Sequence, residues 1–278
     1  MKNLNDSIFR IDGRVIVITG ACGLLGRKHA EVISEYGGIP VLLSIDKDSV
    51  EELAAELNNK YDNGSVGISV DITKEERVAE NANWVINRFG KIDGLVNNAA
   101  NDPKIEDQDK FFFSRLENFP LDVWNQDIAV SLTGAYLCSK YYGAKIAENP
   151  NGGTITNISS DLALISPDQR LYMQEGAPKN QQPVKPVTYS VVKSGLIGLT
   201  RYLSTYWVDR GVRCNAICPG GVENGQQDSF LKEISLRIPM GRLANVNEYQ
   251  GTLIWMISDA SSYLNGATIV VDGGRTIW

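Results

Sequence analysis

Val15-Ile16-Val17-Ile18, then Thr19-Gly20-Ala21-Cys22-Gly23-Leu24-Leu25-Gly26, then a helical stretch to Tyr36: this run decides the reading of the fold. A short apolar, β-branched run predicts a buried strand, and glycines directly after it permit a tight turn into a helix. In that arrangement backbone N–H groups and the helix N-terminus face a pyrophosphate. Gly20, Gly23 and Gly26 supply the turn and the close approach. Glycines at such spacing also serve plain tight packing, so it is their place immediately after the first strand that gives the pattern meaning.

Outward from that unit the alternation repeats. Val41 to Asp46 reads as a second strand, and an acid at its end suits the hydroxyls of an adenosine ribose while repelling a 2′-phosphate. Asp46 is the candidate, with Lys47 beside it. Residues 48–60 carry a helical pattern, 67–71 a third strand ending in Asp71, 74–89 a helix, and 92–96 a fourth strand running into Asn97-Asn98-Ala99-Ala100. Further on, 123–146 reads as a long helix, 153–160 as a strand, 212–217 as a strand, 246–258 as a helix and 267–271 as a seventh strand. Short strands alternating with helices predict an α/β fold: a Rossmann-type, doubly wound parallel sheet of about seven strands with helices on both faces. No repeat, low-complexity tract or linker interrupts it, so residues 1–278 count as one domain.

Two stretches break the rhythm. Residues 101–121, with Phe111-Phe112-Phe113, read as a loop or short helix capping the sheet. Between Ser160 and Tyr189 lies a long segment with Pro167, Pro178, Pro183 and Pro186 among Arg170, Tyr172, Lys179 and Lys185. A loop of that length inside a compact domain is usually functional or mobile.

Composition narrows the function classes. Over 278 residues, 43% hydrophobic and 22% charged residues are ordinary for a globular protein, and the formal charge of -6 argues against a nucleic-acid surface. Met1 to Asp12 is polar and no apolar stretch reaches membrane-spanning length, so a cytoplasmic location without membrane association is expected. The four cysteines, Cys22, Cys138, Cys214 and Cys218, are scattered and read as structural thiols, so no metal site is expected. A single histidine, His29, sits in the first helix, which leaves no Ser-His or Cys-His nucleophile.

Chemistry enters at Tyr189-Ser190-Val191-Val192-Lys193, the start of a helix. Residues four apart share one helix face, about 6 Å apart at their β-carbons. A fixed ammonium at that distance favours the phenolate and moves a phenol toward neutrality, which makes Tyr189 usable as a general acid or base.

With these pieces in order, the sequence resembles the short-chain dehydrogenase/reductase family over almost its whole length. The matching stretches are TGACGLLG at 19–26, NNAA at 97–100, NISS at 157–160, YSVVK at 189–193, RCNAICPGG at 213–221 and VDGG at 271–274. The resemblance implies that Tyr189 is the acid/base, that Ser160 bonds the reacting oxygen, and that Lys193 both tunes the tyrosine and binds the nicotinamide ribose. It implies a cofactor site, for NAD in preference to NADP, made of Gly20, Gly23, Leu25, Gly26, Asp46, Asp71, Ile72, Asn97, Ala99, Tyr189, Lys193, Pro219, Gly220 and Val222.

Four positions depart from the family pattern. Leu24 stands where a small residue is usual. Ser131, in Val130-Ser131-Leu132-Thr133-Gly134, stands where an asparagine usually holds a relay water, so Ser131 is the fourth catalytic candidate, in a modified relay. A gapless count puts Ser44, rather than Asp46, near the usual acid position. Ser160 and Tyr189 are 29 positions apart where the family places about a dozen, so an insertion at about 161–187 is expected over the active-site mouth. Its Arg170, Lys179 and Lys185 suit a phosphate and its Tyr172 a sugar. The insertion and the TRYLSTYW and PGGVENGQ stretches also resemble a bacterial subgroup associated with flagellin modification and sugar biosynthesis.

The expected function is therefore hydride transfer between NAD(P) and a secondary alcohol/ketone pair on a small polar substrate, a sugar phosphate or nucleotide sugar. The alternatives are a small apolar ketone or acyl thioester, favoured by Phe111 to Phe113, and a low-activity cofactor-binding scaffold. Apolar content from Leu196 to Tyr206 and at Trp278 fits a homo-oligomer, a dimer or tetramer.

Overall fold

Strand β1 (Val15–Thr19) is buried along its whole length, as a β-branched run with neighbours on both sides must be. It pairs in parallel with β2 (Ile39–Ser44) on one side and β4 (Gly94–Asn97) on the other. With β3 (Val66–Ser69), β5 (Gly153–Ile158), β6 (Val212–Pro219) and β7 (Thr268–Val271), all parallel, the sheet order is β3-β2-β1-β4-β5-β6-β7. The order reverses between β1 and β4, and a crevice at the carboxyl ends of the strands belongs there. The computed structural model describes residues 8–101 and 114–278, so Phe111-Phe112-Phe113 lies outside the described residues.

Successive strand side chains face opposite sides of the sheet, and the core divides accordingly. Val15 and Val17 pack with α3 (Glu75–Phe89) and α5 (Gly134–Ala147) through Val78, Val85, Tyr142 and Ile146. Ile16 and Ile18 pack on the other face with α1 (Leu24–Glu35) and α8 (Gln250–Ile257) through Ala30, Ile33, Leu253 and Ile257.

Three local outcomes differ from the sequence expectation. β2 stops at Ser44, and Asp46 becomes the N-cap of α2 (Lys47–Tyr61), because its carboxylate accepts from the Ser49 N–H at 3.2 Å. The long helix is one run from α4 (Leu121–Ile128) through a π-helical turn (Ala129–Thr133) into α5, with Ser131 inside the turn. Single π turns of this kind recur at functional sites. The 161–187 segment is ordered by short 3₁₀ turns at Asp161–Ala163, Gln169–Tyr172 and Lys179–Gln181. Its Leu171 forms a small satellite core with Ile234 of α7 (Asp228–Ser235), Ile238 and Leu243. Helix α6 (Val187–Tyr206) begins two residues before Tyr189. Among the described residues no helix is long and apolar enough to cross a membrane.

Candidate active site

The turn after β1 is shaped by what it must touch. Gly20 sits at φ +61°, and a side chain there would stand 2.8 Å from the Ala99 Cα; one at Gly26 would collide with the Gly20 carbonyl. Asn98 ties β4 to the turn, its Nδ2 donating to the carbonyls of Thr19 (3.1 Å) and Gly20 (3.0 Å). Thr19 Oγ1 returns the contact by accepting the N–H groups of Asn98 and Ala99, each at 3.0 Å.

Gly20, Gly23, Leu25, Asp71, Ile72 and Ala99 line one side of a cleft of about 1030 Å³, and Pro219, Gly220 and Val222 border it from the β6 end. Leu24 lines it as well and stays partly exposed. Gly23 is the N-cap of α1 and offers no side-chain acceptor, so the first N–H groups of that helix suit an anion. Asp71 accepts from Thr73 through Oδ1, and that hydroxyl holds its carboxyl below the usual carboxylate range.

Three expected cofactor residues are placed differently. Asn97 is buried beneath the cleft, donating to Ser139 Oγ (3.1 Å) and Asn157 Oδ1 (2.8 Å). Gly26 serves the packing of the turn. Asp46 is outside the lining, its carboxylate turned to Ser49, whereas Ser44 and Ile45 line the cleft at the end of β2.

The other wall is made of side chains. Ser160, at the end of β5, caps the first 3₁₀ turn; its Oγ accepts from the Leu162 N–H (3.2 Å) and donates to Asp161 Oδ1 (2.9 Å). Lys193 is buried and its Nζ donates to the Ile158 carbonyl at 2.9 Å. That Nζ lies 5.8 Å from the Tyr189 ring centroid, and Lys185 Nζ from the insertion lies 3.8 Å from the same ring. Ser160, Tyr189 and Lys193 all line the cleft.

Ser131 does not line it. Buried in the π turn, it accepts from the Asn101 N–H at 3.4 Å. Asn101 Nδ2 reaches Asp127 Oδ1 (3.3 Å), and Thr188 Oγ1 donates to Asp127 Oδ2 (2.5 Å). This bridge fastens the start of α6, next to Tyr189, to α4. Sequence reasoning missed Asn101, Asp127 and Thr188 because their relation exists only after α4 and α6 meet.

Of the insertion's candidates, Arg170, Tyr172 and Lys185 line the cleft and Lys179 does not. Arg170 is committed: its guanidinium grips both oxygens of Asp168 at 2.8 Å, and Arg237 Nε adds a third contact at 2.7 Å. Arg170 and then Arg237 hold the Asp168 carboxyl well below the usual carboxylate range. Burial pushes the Cys214 thiol up to about 12 and Cys138 higher still, which makes these two thiols inert.

The whole-chain comparisons agree with this geometry. The family model described as enoyl-(acyl carrier protein) reductase matches residues 20–276. The D-threitol dehydrogenase of Mycolicibacterium smegmatis is 31% identical over 284 residues, covering 98% of this chain and 96% of that protein. The NAD-dependent glycerol dehydrogenase of Listeria innocua is 28% identical over 280 residues, covering 98% and 97%. The crystal structure of a gluconate 5-dehydrogenase from Burkholderia cenocepacia, in complex with NADP and tartrate, superposes with a TM-score of 0.84 at 25% identity, covering 98% of each chain. A glycine turn, a Ser-Tyr-Lys cleft and these likenesses lead to one statement: the chain belongs to the short-chain dehydrogenase/reductase family of oxidoreductases.

Proposed function

We propose that this protein is an NAD(P)-dependent dehydrogenase that interconverts a secondary alcohol and a ketone on a polyhydroxylated substrate, with Tyr189 as acid/base. The observation that carries the reading is the meeting of Ser160, Tyr189 and Lys193 on the cleft that also receives the glycine turn. The glycine turn, Asp71 and the Pro219-Gly220 segment would hold the dinucleotide, and the uncapped start of α1 fits its pyrophosphate. A nicotinamide, when bound, supplies the acceptor or donor of hydride.

In the oxidative direction Tyr189 Oη takes the proton of the reacting hydroxyl, while Ser160 Oγ holds the oxygen as charge develops there. The ammonium groups of Lys193 and Lys185 favour loss of the phenol proton, and Lys193 is held in place by the Ile158 carbonyl. Beyond Tyr189 the outer cleft is mixed: Gln174, Asn224, Gln226 and Gln227 line it together with Leu171, Met173 and Phe230, whose ring packs against Tyr172. The four amide side chains give a polyol or sugar hydrogen-bond partners, and relatives are named for D-threitol and glycerol. Lys185 favours a second reading, a phosphorylated or nucleotide-linked sugar.

NAD is the favoured cofactor. The lining contributed by residues 20–73 contains no Lys or Arg to meet a 2′-phosphate, while Lys47 pairs with Glu51 and Arg27 with Glu56. Tyr202 and Tyr206, stacked on the exposed outer side of α6, support self-association of the chain, which light scattering measures. The function itself is tested by nicotinamide reduction at 340 nm with NAD and NADP against polyols, sugar phosphates, nucleotide sugars and simple alcohols. Turnover confined to apolar alcohols would reject the polar-substrate reading.

A further inference from the structure

An ion pair that the proton transfer does not use sits in the cleft floor. Arg275 Nη1 lies 2.7 Å from Asp161 Oδ2, the side chains being 9% and 3% exposed, and both residues line the cleft. The other oxygen, Asp161 Oδ1, accepts from Ser160 Oγ at 2.9 Å and from the Leu162 N–H at 2.8 Å. Arg275 arrives from the turn after β7, where Asp272 accepts the N–H groups of Gly274 (2.9 Å) and Thr276 (2.7 Å). Without that guanidinium a carboxylate this deep would be uncompensated. The proton of Ser160 is therefore directed at Asp161, not at a reacting oxygen.

Oδ1 already has two donors, and the Leu162 N–H is fixed by the backbone, so a substrate hydroxyl that binds at this oxygen does so in place of Ser160. We propose that Asp161, backed by Arg275, selects substrates carrying a hydroxyl on the carbon next to the reacting one. That hydroxyl takes the place of Ser160 at Oδ1 and releases the Ser160 O–H to the reacting oxygen. Two oxygens on adjacent carbons stand about one hydrogen-bond length apart, which is also the spacing of Ser160 Oγ and Asp161 Oδ1, so a vicinal pair spans both side chains. A lone secondary alcohol brings no replacement donor and leaves Ser160 on Asp161. One proton leaves the reacting hydroxyl for Tyr189; Ser160 and the neighbouring hydroxyl keep theirs. The inference rests on the alcohol/ketone reading above and adds the substrate class, vicinal diols and α-hydroxyketones.

The test compares butane-2,3-diol with butan-2-ol, and 3-hydroxybutan-2-one with butan-2-one, in the wild type, in Asp161→Glu and in Asp161→Asn/Arg275→Gln. The double substitution exchanges the ion pair for an amide pair and strands no charge; Asp161→Glu keeps the charge but displaces the carboxylate by a methylene. The wild type is expected to favour the vicinal compound by about 10- to 100-fold in kcat/KM, the size of a hydrogen bond to a charged group, with the preference residing in kcat. Both variants are expected to bring that ratio to within a few-fold of unity while still binding NADH. Equal rates for the paired compounds in the wild type, or an unchanged ratio in Asp161→Glu, overturns the assignment while leaving the dehydrogenase reading standing. Turnover of no alcohol or ketone with either cofactor removes both together.

Discussion

The two walls of the cleft are built by different means. On the β1–β3 side the site is mostly backbone, a glycine turn and the uncapped start of α1 held by the Asn98 side chain, with the Asp71 carboxylate beside them. On the β5–β7 side it is side chains drawn from distant positions, Ser160, Asp161, Tyr189, Lys193 and Arg275. Backbone N–H and C=O groups are present whatever the side chains, whereas a side-chain wall changes with every substitution.

Substitutions can break this contrast. Tyr189→Phe should have the largest effect, lowering kcat by about 10²- to 10⁴-fold with NADH affinity near normal, read by steady-state kinetics beside a fluorescence titration. Arg275→Met leaves Asp161 uncompensated and should cost about 3–5 kcal/mol in urea unfolding, because both partners are buried. The backbone wall has its own acid sensitivity. His29 is on the buried face of α1, where burial pushes it from its ordinary 6.5 down to about 4. The unfolded chain then binds a proton that the folded one refuses. Stability is full above about pH 6.5 and falls by on the order of 3 kcal/mol as the pH drops to about 4. His29→Gln should flatten that part of the urea-midpoint profile. Gly26→Ala forces the turn away from the Gly20 carbonyl and should weaken NADH binding at a cost of about 1–3 kcal/mol, measured by fluorescence titration. Asp168→Asn, which loosens the grip of the insertion on Arg237 and α7, should have the smallest effect, a few-fold rise in KM with kcat nearly kept.

The same contrast explains what could be read from the sequence. Gly20 and Gly23 are legible because the turn they make follows directly on a strand whose β-branched run is unmistakable, although the contact of Gly20 with Ala99 is not. Tyr189 and Lys193 were legible because a helix fixes residues four apart on one face. Asp161 adjoins Ser160 in the chain, but its partner Arg275 is 114 residues away and no local period announces the pair. Asp46 shows the opposite limit: an acid near a strand end fits a ribose by position, yet once β2 ends at Ser44 the carboxylate becomes the cap of α2. Ser131 carries a similar lesson, since only the π turn reveals that it faces Asn101 and the buried bridge to Thr188.

The central claim, that the side-chain wall performs a tyrosine-based proton transfer beside a separately built nucleotide wall, is tested most directly on Tyr189→Phe with one polyhydroxylated substrate. Cofactor binding and cofactor reduction are measured on the same preparation. Retained NADH binding with reduction lost is the result this account expects. Reduction at the wild-type rate in Tyr189→Phe, or loss of NADH binding together with turnover in a folded variant, would contradict it.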